Sequence, residues 1–571
     1  MNTQLSRSFF EVVQASVKNF TDIKTFITTE TFLRGKLFSF EDHEYQEYVV
    51  SHVQSRPGCE AIIVKPSQIG LSEVWYRYFL AKMAVNPGTA LLLSFPSKLA
   101  SSETFKTRFS PIIETSPRLS SMMCNDVDSA SVKRMTNESI AYALAGSSNS
   151  KSSLISRFIS CCLVDEVDRQ DPQIYNSFPS RMVHAAEKDK LTVKISTPTI
   201  EGFGIMAELE ECREVHKPYI VCEHCLNQFY PDYYEHVKLP GWEKSLKALT
   251  RTDLARLNAY ASYLECPECK GKVERRDYVW KVEFFDTGVY NKVGFVLNPF
   301  IARFIRICDL VIDSVKFDSI AEFTQQRLGL PYTEKSSQIT RESIRFERSD
   351  RRVGRYVLGI DMGKTAHLIE AVLRDDTSLH VLKYHQVMLH EFKPFLKELA
   401  SRTTFSAMVM DQSPYHELVY SLVQEYPRLF SAIYTDYNEA SLYKINMFDK
   451  NSQLVRQLSL NKTLMFDNLA AALPYLITFE PSEWDETIVT HMTSMKRVKD
   501  YDDQAEDRVK YKWVKAGSKA DDHAHHGLLY CWAAAKISMG DLFYAPPLDF
   551  SIRKINPTAL NARQQHANRL R

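Results

Sequence analysis

The sequence predicts an α/β protein with two sheet-centred domains in series. Short apolar runs rich in β-branched residues recur between about residues 60 and 200, separated by polar or helix-patterned stretches. A second series starts near residue 355 and closes on a helix-patterned segment. Between the two, a stretch with two CxxC pairs breaks the rhythm.

The first series reads EAIIV, TALLLSF, SIAYALA, RFISCCLV and KLTVKIS. Strands covered on both faces show continuous apolar runs, so a parallel sheet with crossover helices is expected. After EAIIV, the stretch Ser72 to Val85 puts Trp75, Tyr78, Phe79 and Met83 on one helical face. Residues 215–285, which hold the cysteine pairs, read as an insertion. Residues 336–355 are arginine-rich with few large apolar side chains and read as a solvated linker. The second series, RYVLGID, SLHVLKYHQV and FSAMVMD, ends on DDHAHHGLLYCWAAAKI. The expected divisions are an amino-terminal helical segment 1–45, a first domain 46–335, the linker, a second domain 356–545 and a basic tail 546–571.

The bulk composition narrows the function classes. The 571 residues exceed one core, and a prior of roughly 150 residues per domain allows three or four units or a few large ones. A hydrophobic share of 44% with 25% charged residues is ordinary for a soluble chain. No apolar run approaches the ~18 residues of a membrane helix, and MNTQLSRSFFEVVQASVKNF lacks a secretory signal pattern. A cytoplasmic protein with no membrane partner is expected. Net charge is +1, so nucleic-acid binding would depend on local patches.

KPSQIGLSE, Lys65 to Glu73, joins a strand to a helix as a phosphate loop does. Such a loop surrounds an anion with backbone N–H groups at a helix N-terminus, while a lysine adds charge and a hydroxyl ligates Mg²⁺. Gly70 and Ser72 hold the backbone and hydroxyl places, and Gln68 lies within the loop. Leu71 stands where the lysine usually does, so the only cation is Lys65 at the strand exit, which a curled loop brings to the same oxygens. An ordinary polar strand-to-helix turn is the other reading.

RFISCCLVDEVD ends a strand on Asp165 and Glu166, one carboxylate for Mg²⁺ and one to activate water. Together these predict a P-loop ATPase domain of the RecA/ASCE type. Ser196 and Thr197 end a further strand, where a γ-phosphate sensor or a plain turn would sit.

CEHC (Cys222, Cys225) and CPEC (Cys266, Cys269) have the spacing of two knuckles closing one tetrahedral Zn²⁺ site, structural rather than catalytic, in a zinc-ribbon-like insertion. His224 lies inside the first knuckle, facing solvent or supporting the ligands.

In the second domain, Asp361 and Asp411 end strands, and Asp521 and Asp522 open a helix. Acids so ordered can hold two Mg²⁺ or Mn²⁺ ions about 3.5–4 Å apart for phosphodiester hydrolysis. This is an RNase H-like nuclease reading; helix capping by Asp521 and Asp522 is the simpler one. DRVKYKWVK alternates Lys510 and Lys512 with Tyr511 and Trp513, either a DNA-backbone track or a solvated hairpin over a local core.

In KPSQIGLSE, GSSNSKSSLISRFISCCLVDEVD, CEHC with CPEC, FTQQRLGLPYTE and GIDMG, the chain from about residue 40 to 540 resembles the large terminase subunit of tailed bacteriophages, in its lambda-type branch with a zinc module. The resemblance implies an ATP-driven motor that moves double-stranded viral DNA into a procapsid, and an endonuclease that cuts concatemers. It implies that Lys65 is the displaced loop lysine, and that Lys65, Gln68, Gly70, Ser72 and Asp165 bind ATP and Mg²⁺ while Glu166 serves hydrolysis. Asp361, Asp411 and Asp522 or its neighbour Asp521 would hold the nuclease metals. Many relatives read DDHxxDAL, and here His526 takes the later acid's place. The implied partners are DNA, a small terminase subunit, the portal protein and further copies in a packaging ring, in the host cytoplasm. Arg157 is one candidate for an arginine finger. Two other readings are an RNase H-like recombinase or nuclease with a structural amino-terminal domain, and a non-enzymatic zinc-bearing DNA adaptor.

Overall fold

The computed structural model describes residues 22–129, 131–146, 157–317, 319–333, 338–349, 353–375, 377–435, 442–448, 454–500, 510–517 and 521–539. The first 21 residues of the expected helical segment and the whole expected basic tail lie outside these, as does most of GSSNSKSSLIS. The chain divides into two compact units, Met1–Ser337 with 498–510 and 516–519, and 338–497 with 511–515 and 520–571.

The first unit centres on one large mixed sheet. Its elements are α1 (Glu44–Gln54), β1 (Glu60–Val64), α2 (Leu71–Val85), β2 (Ala90–Phe95), β3 (Ile140–Ala145), β4 (Cys161–Asp165), β5 (Leu191–Ser196), α3 (Ile205–Glu210), β6 (Cys212–Val221), β7 (Tyr278–Phe284) and β8 (Val289–Val296). The order is β6-β8-β1-β5-β4-β2-β3, all parallel. Val132–Met135 and Met123–Asp128 extend it antiparallel beyond β3. The five runs expected as strands are strands, and they are buried because helices and loops cover both faces. In α2, Trp75, Tyr78, Phe79 and Met83 are buried, and so are Tyr76, Arg77 and Leu80, so the helix is enclosed rather than one-sided.

Residues 215–285 are not wholly an insertion. β6 and β7 pair antiparallel and β6 joins β8, so both belong to the main sheet. Between them the cysteine module adds Gln228–Phe229 to the edge of that sheet, antiparallel to β6, and forms a small sheet of its own from Val237–Lys238, Tyr263–Glu265 and Lys272–Val273.

The second unit holds a nine-stranded sheet. Its elements are β9 (Arg355–Asp361), β10 (Thr365–Leu373), β11 (Leu379–Met388), β12 (Phe405–Asp411), β13 (Leu429–Thr435), β14 (Tyr443–Phe448), β15 (Leu454–Asn461), β16 (Ile477–Phe479) and α4 (His523–Met539). The central order is β11-β10-β9-β12-β13. The first three strands form an antiparallel meander, and β9, β12 and β13 are parallel. α4 packs onto β9 and β10 at two glycines. A Cβ on Gly359 would fall 2.1 Å from the Cys531 backbone nitrogen, and one on Gly527 would fall 3.1 Å from Ile369 Cγ1.

The expected linker is partly structured. Ile339 and Ile344 are buried in this unit's core, and Arg345–Phe346 pairs with β16. Arg341 and Arg348 are exposed while two isolated isoleucines anchor the segment, a pattern too sparse to show as periodicity. Among the described residues no helix is long and apolar enough to cross a membrane.

Candidate nucleotide and metal sites

At the C-terminal edge of the first sheet, β1 gives way to residues 65–70 and then to α2. Gln68 and Gly70 have φ of 62° and 79°, the left-handed turn that opens backbone N–H groups toward an anion. The loop is held from two sides. The Ile69 carbonyl accepts hydrogen bonds from Tyr45 Oη (2.7 Å) and Gln46 Nε2 (2.9 Å). Ser67 donates through its N–H and its hydroxyl to the Gln326 carbonyl, each at 2.7 Å. Gly329, at φ 68°, approaches so closely that a Cβ would lie 2.5 Å from Pro66 N. The FTQQRLG stretch is therefore a brace for this loop.

Lys65 is 5% exposed, and its Nζ donates to Glu166 Oε1 at 3.0 Å. Ser72 Oγ donates to Asp165 Oδ1 (3.2 Å), and Tyr76 Oη to Asp165 Oδ2 (2.6 Å). Asp165 ends β4 and Glu166 follows at φ 59°, a conformation a non-glycine residue adopts at a cost. Burial, and then repulsion from Glu166, raise the Asp165 carboxyl. Burial would raise Glu166 as well, but the Lys65 ammonium, Arg169 and the Thr197 amide together hold Glu166 below the usual carboxylate range.

Gln170 Nε2 donates to the Asp165 carbonyl (2.7 Å), and Ser94 Oγ to Gln170 Oε1 (2.6 Å). Thr197 N–H donates to Glu166 Oε2 at 3.4 Å, and Ser196 Oγ accepts from Asp168 N–H at 3.2 Å. Asp168 is pushed up to about 6 by burial, although Thr199 and the Ile205 amide donate to it. Arg157 lies over the Tyr142 ring at 4.7 Å.

A cation, a hydroxyl and two acids thus meet beside the N-terminus of α2, an arrangement that can take a metal-bound polyphosphate. Tyr76, Gln46 and Gln170 were missed in sequence. Tyr76 had one signal, its place one turn after Ser72; Gln170 had none.

In the second unit, Asp361 ends β9 and Asp411 ends the adjacent parallel strand β12. Asp361 Oδ2 receives His523 Nδ1 at 2.8 Å, and Asp522 Oδ2 lies 3.5 Å from His526 Nε2. Tyr434 Oη meets His526 Nδ1 at 2.7 Å, and the charges of Asp361, Asp411 and Asp522 all act on this phenol. Burial pushes Asp411 up to about 6, with Asp361 adding to it. Burial would raise Asp522 too, yet His526 holds it well below the usual range.

The aspartates therefore face one region, but three of their oxygens do not come within 4.8 Å of one another. Asp521 is exposed, and its carbonyl accepts from Ser494 Oγ (3.1 Å). Sequence reading passed over His523 and His367, whose rings stack at 4.4 Å, and Tyr384, 2.6 Å from His367 Nδ1. On Lys510–Lys515, Trp513 is buried and donates to Asp467 Oδ1 (2.7 Å), while Lys512 is exposed. Tyr511, also exposed, carries the Arg497 guanidinium 3.9 Å from its ring centre.

The four sulfurs of Cys222, Cys225, Cys266 and Cys269 lie within 4.8 Å of one another, Cys222 to Cys269 at 3.7 Å and Cys225 to Cys266 at 3.6 Å. The two knuckles share a backbone pattern: Cys222 N–H bonds the Asn227 carbonyl and Cys266 N–H bonds the Gly271 carbonyl, both at 2.9 Å. Leu226 and Lys270 hold equivalent positive φ values, 59° and 60°. Sulfurs at the corners of a tetrahedron with bonds of about 2.3 Å stand near these separations, so the donor set fits Zn²⁺. His224 bonds the Lys272 carbonyl at 3.0 Å and supports the second knuckle.

The class these features define in the first unit is an ATPase domain on a parallel sheet. Residues 38–288 match the family model described as phage terminase large subunit gpA, ATPase domain. No curated protein matches the chain. Among solved structures, the large terminase of bacteriophage HK97 aligns over 90% of this chain and 98% of its own, at 10% identity and a TM-score of 0.49. The large terminase of a thermophilic bacteriophage aligns over 85% and 97%, at 11% identity and a TM-score of 0.32. The large terminase nuclease of thermophilic phage G20c aligns over 34% and 98%, at 13% identity and a TM-score of 0.22.

Proposed function

We propose that the chain is a terminase large subunit: an ATP-driven motor that moves double-stranded viral DNA into a procapsid, joined to a metal-dependent endonuclease that cuts concatemers. The observation that carries this is the pairing of Lys65 with Glu166 and Ser72 with Asp165 inside the segment matching the terminase ATPase model. In this reading Lys65, Gln68, Gly70 and Ser72 bind the phosphates, Asp165 orients Mg²⁺, and Glu166 activates water. Arriving phosphate competes with Glu166 for the Lys65 ammonium and frees the base.

The nuclease half is supported by the order β11-β10-β9-β12-β13, a meander followed by parallel strands, with Asp361 and Asp411 on neighbouring strand ends and Asp522 at the start of α4. Asp361, Asp411 and Asp522 would hold Mg²⁺ or Mn²⁺, which would supply a metal-activated water and stabilise the leaving oxygen of a phosphodiester. Cys222, Cys225, Cys266 and Cys269 would hold a structural Zn²⁺. Double-stranded DNA, a small terminase subunit, the portal protein and further copies in a ring are the proposed partners, in the host cytoplasm and, during packaging, on the procapsid.

The test is to assay ATPase and plasmid cleavage with and without long duplex DNA. Lys65→Ala should lose DNA-stimulated ATPase, and Asp361→Ala should lose cutting while keeping ATPase. Equal loss of both in a folded Asp361→Ala protein would sink the two-site reading.

A further inference from the structure

A second polar cavity opens at the other end of α2, beside Val85, on the edge of the first sheet where β1 and β5 begin. Its volume is about 240 Å³, and Arg56, Tyr78, Lys82, Asn86, Lys188 and Lys190 are among its lining residues, with no acidic side chain among them. Arg56 and Lys190 have carboxylate partners, Glu214 at 2.6 Å and Glu187 at 2.9 Å. Lys82 has none. It is 5% exposed, and its ammonium makes no hydrogen bond or ion pair with any described residue.

A cation at the C-terminus of a helix gains from the helix dipole. Here, though, the terminal carbonyls already have other donors: Asn137 Nδ2 and Ser139 Oγ donate to Met83 O at 2.8 and 2.9 Å, and Asn86 N–H donates to Lys82 O at 2.9 Å. Capping therefore does not occupy the ammonium. Tyr78, one turn earlier on the same face, is 3% exposed, and its hydroxyl has no partner among the described residues. A buried charge without a counter-charge is costly, and the structure offers it a positively lined cavity and one free hydroxyl donor. A cavity of this size holds a phosphate group with a few waters, at about 30 Å³ of liquid volume each.

We infer that this cavity binds the oxygens of a phosphate group, with Lys82 as the central cation, Tyr78 as a neutral donor, and Lys188 and Lys190 at the rim. The site is separate from the proposed nucleotide site: Lys82 lies roughly 15 Å along α2 from Ser72, at 1.5 Å per residue. The phosphate is either free orthophosphate or a phosphodiester of bound DNA.

The experiment uses the full chain carrying Lys65→Ala, which weakens phosphate binding at the loop. Calorimetric titration with orthophosphate should give one saturable site, and adding Lys82→Met should weaken it at least tenfold. Without ligand, Lys82→Met should melt no lower than its parent, since it removes an unpaired charge. Should Lys82→Met not fold, Lys188→Glu, at an exposed position, should weaken binding several-fold. Repeating the titration with saturating duplex DNA separates the sources: displacement of orthophosphate marks the DNA backbone, and unchanged binding marks the free ion. Phosphate affinity unaltered by Lys82→Met, or no binding of phosphate or of DNA at this cavity, overturns the inference.

Discussion

The Lys65 ammonium lies 3.0 Å from the Glu166 carboxylate, across the gap between two strand ends of one parallel sheet. The loop lysine and the proposed base thus neutralise each other, and the pair must open before either can act on a phosphate. Glu166→Gln is expected to leave nucleotide binding intact and to lower ATP turnover by about 10²–10⁴-fold, the usual worth of a general base. Equilibrium binding of a fluorescent ATP analogue, set beside steady-state phosphate release, checks both halves. A Glu166→Gln protein with wild-type turnover would remove Glu166 from the chemistry.

Tyr76 holds the second oxygen of Asp165, the one Ser72 leaves free. A phenol bonded to a carboxylate is a charge-assisted hydrogen bond, worth about 1.5–3 kcal/mol. Tyr76→Phe keeps the ring in its packed place and deletes that bond. The expected outcome is a Mg²⁺ requirement for ATPase shifted about tenfold, in line with that energy. An unshifted Mg²⁺ titration would mean that Tyr76 only packs.

For the cysteine module, Cys222→Ser should release one equivalent of zinc per chain, read by elemental analysis of protein purified without chelator. A structural zinc site contributes folding energy directly, so the melting temperature should also fall. His224→Ala, which removes only the bond to the Lys272 carbonyl, should keep the metal.

Much of this architecture was legible along the chain, for a physical reason. Strands covered on both faces, such as Cys161–Asp165, must be apolar throughout, and acids at their ends stand out. Lys65 was legible because no other cation lies in its loop. The strand Arg345–Phe346 was not, since its partner, Thr478–Phe479, lies far along the chain and leaves no local pattern. Gln170 was equally hidden: a glutamine five residues past a carboxylate looks like any surface glutamine until the fold turns its amide onto the Asp165 carbonyl. The membership of Cys212–Val221 in the main sheet was masked by the cysteines that follow it.

His525 and His367 make the second unit acid-sensitive. Burial lowers His525 to about 3, with neighbouring His526 adding to it, and neither ring nitrogen has a hydrogen-bond partner among the described residues; the ring packs edge-on against Phe466 at 4.8 Å. Burial, with His523 nearby, lowers His367 to about 4. Each is neutral in the fold and would charge on unfolding below its unfolded value of about 6.5. The unfolded chain then binds more protons, so stability is fully present above about pH 6.5 and is lost as pH falls toward 4 and 3. Each ring contributes a slope of up to about 1.4 kcal/mol per pH unit in that window. Urea unfolding of the second unit, followed by Trp513 and Trp532 fluorescence, should show midpoints that drop between pH 6.5 and 4.5. His525→Phe, which keeps an aromatic ring beside Phe466, should flatten that drop in part, since one buried imidazole is gone while His367 and His491, both lowered by burial, remain. A His525→Phe protein with the parent's pH slope would show that this imidazole is not held neutral by the core.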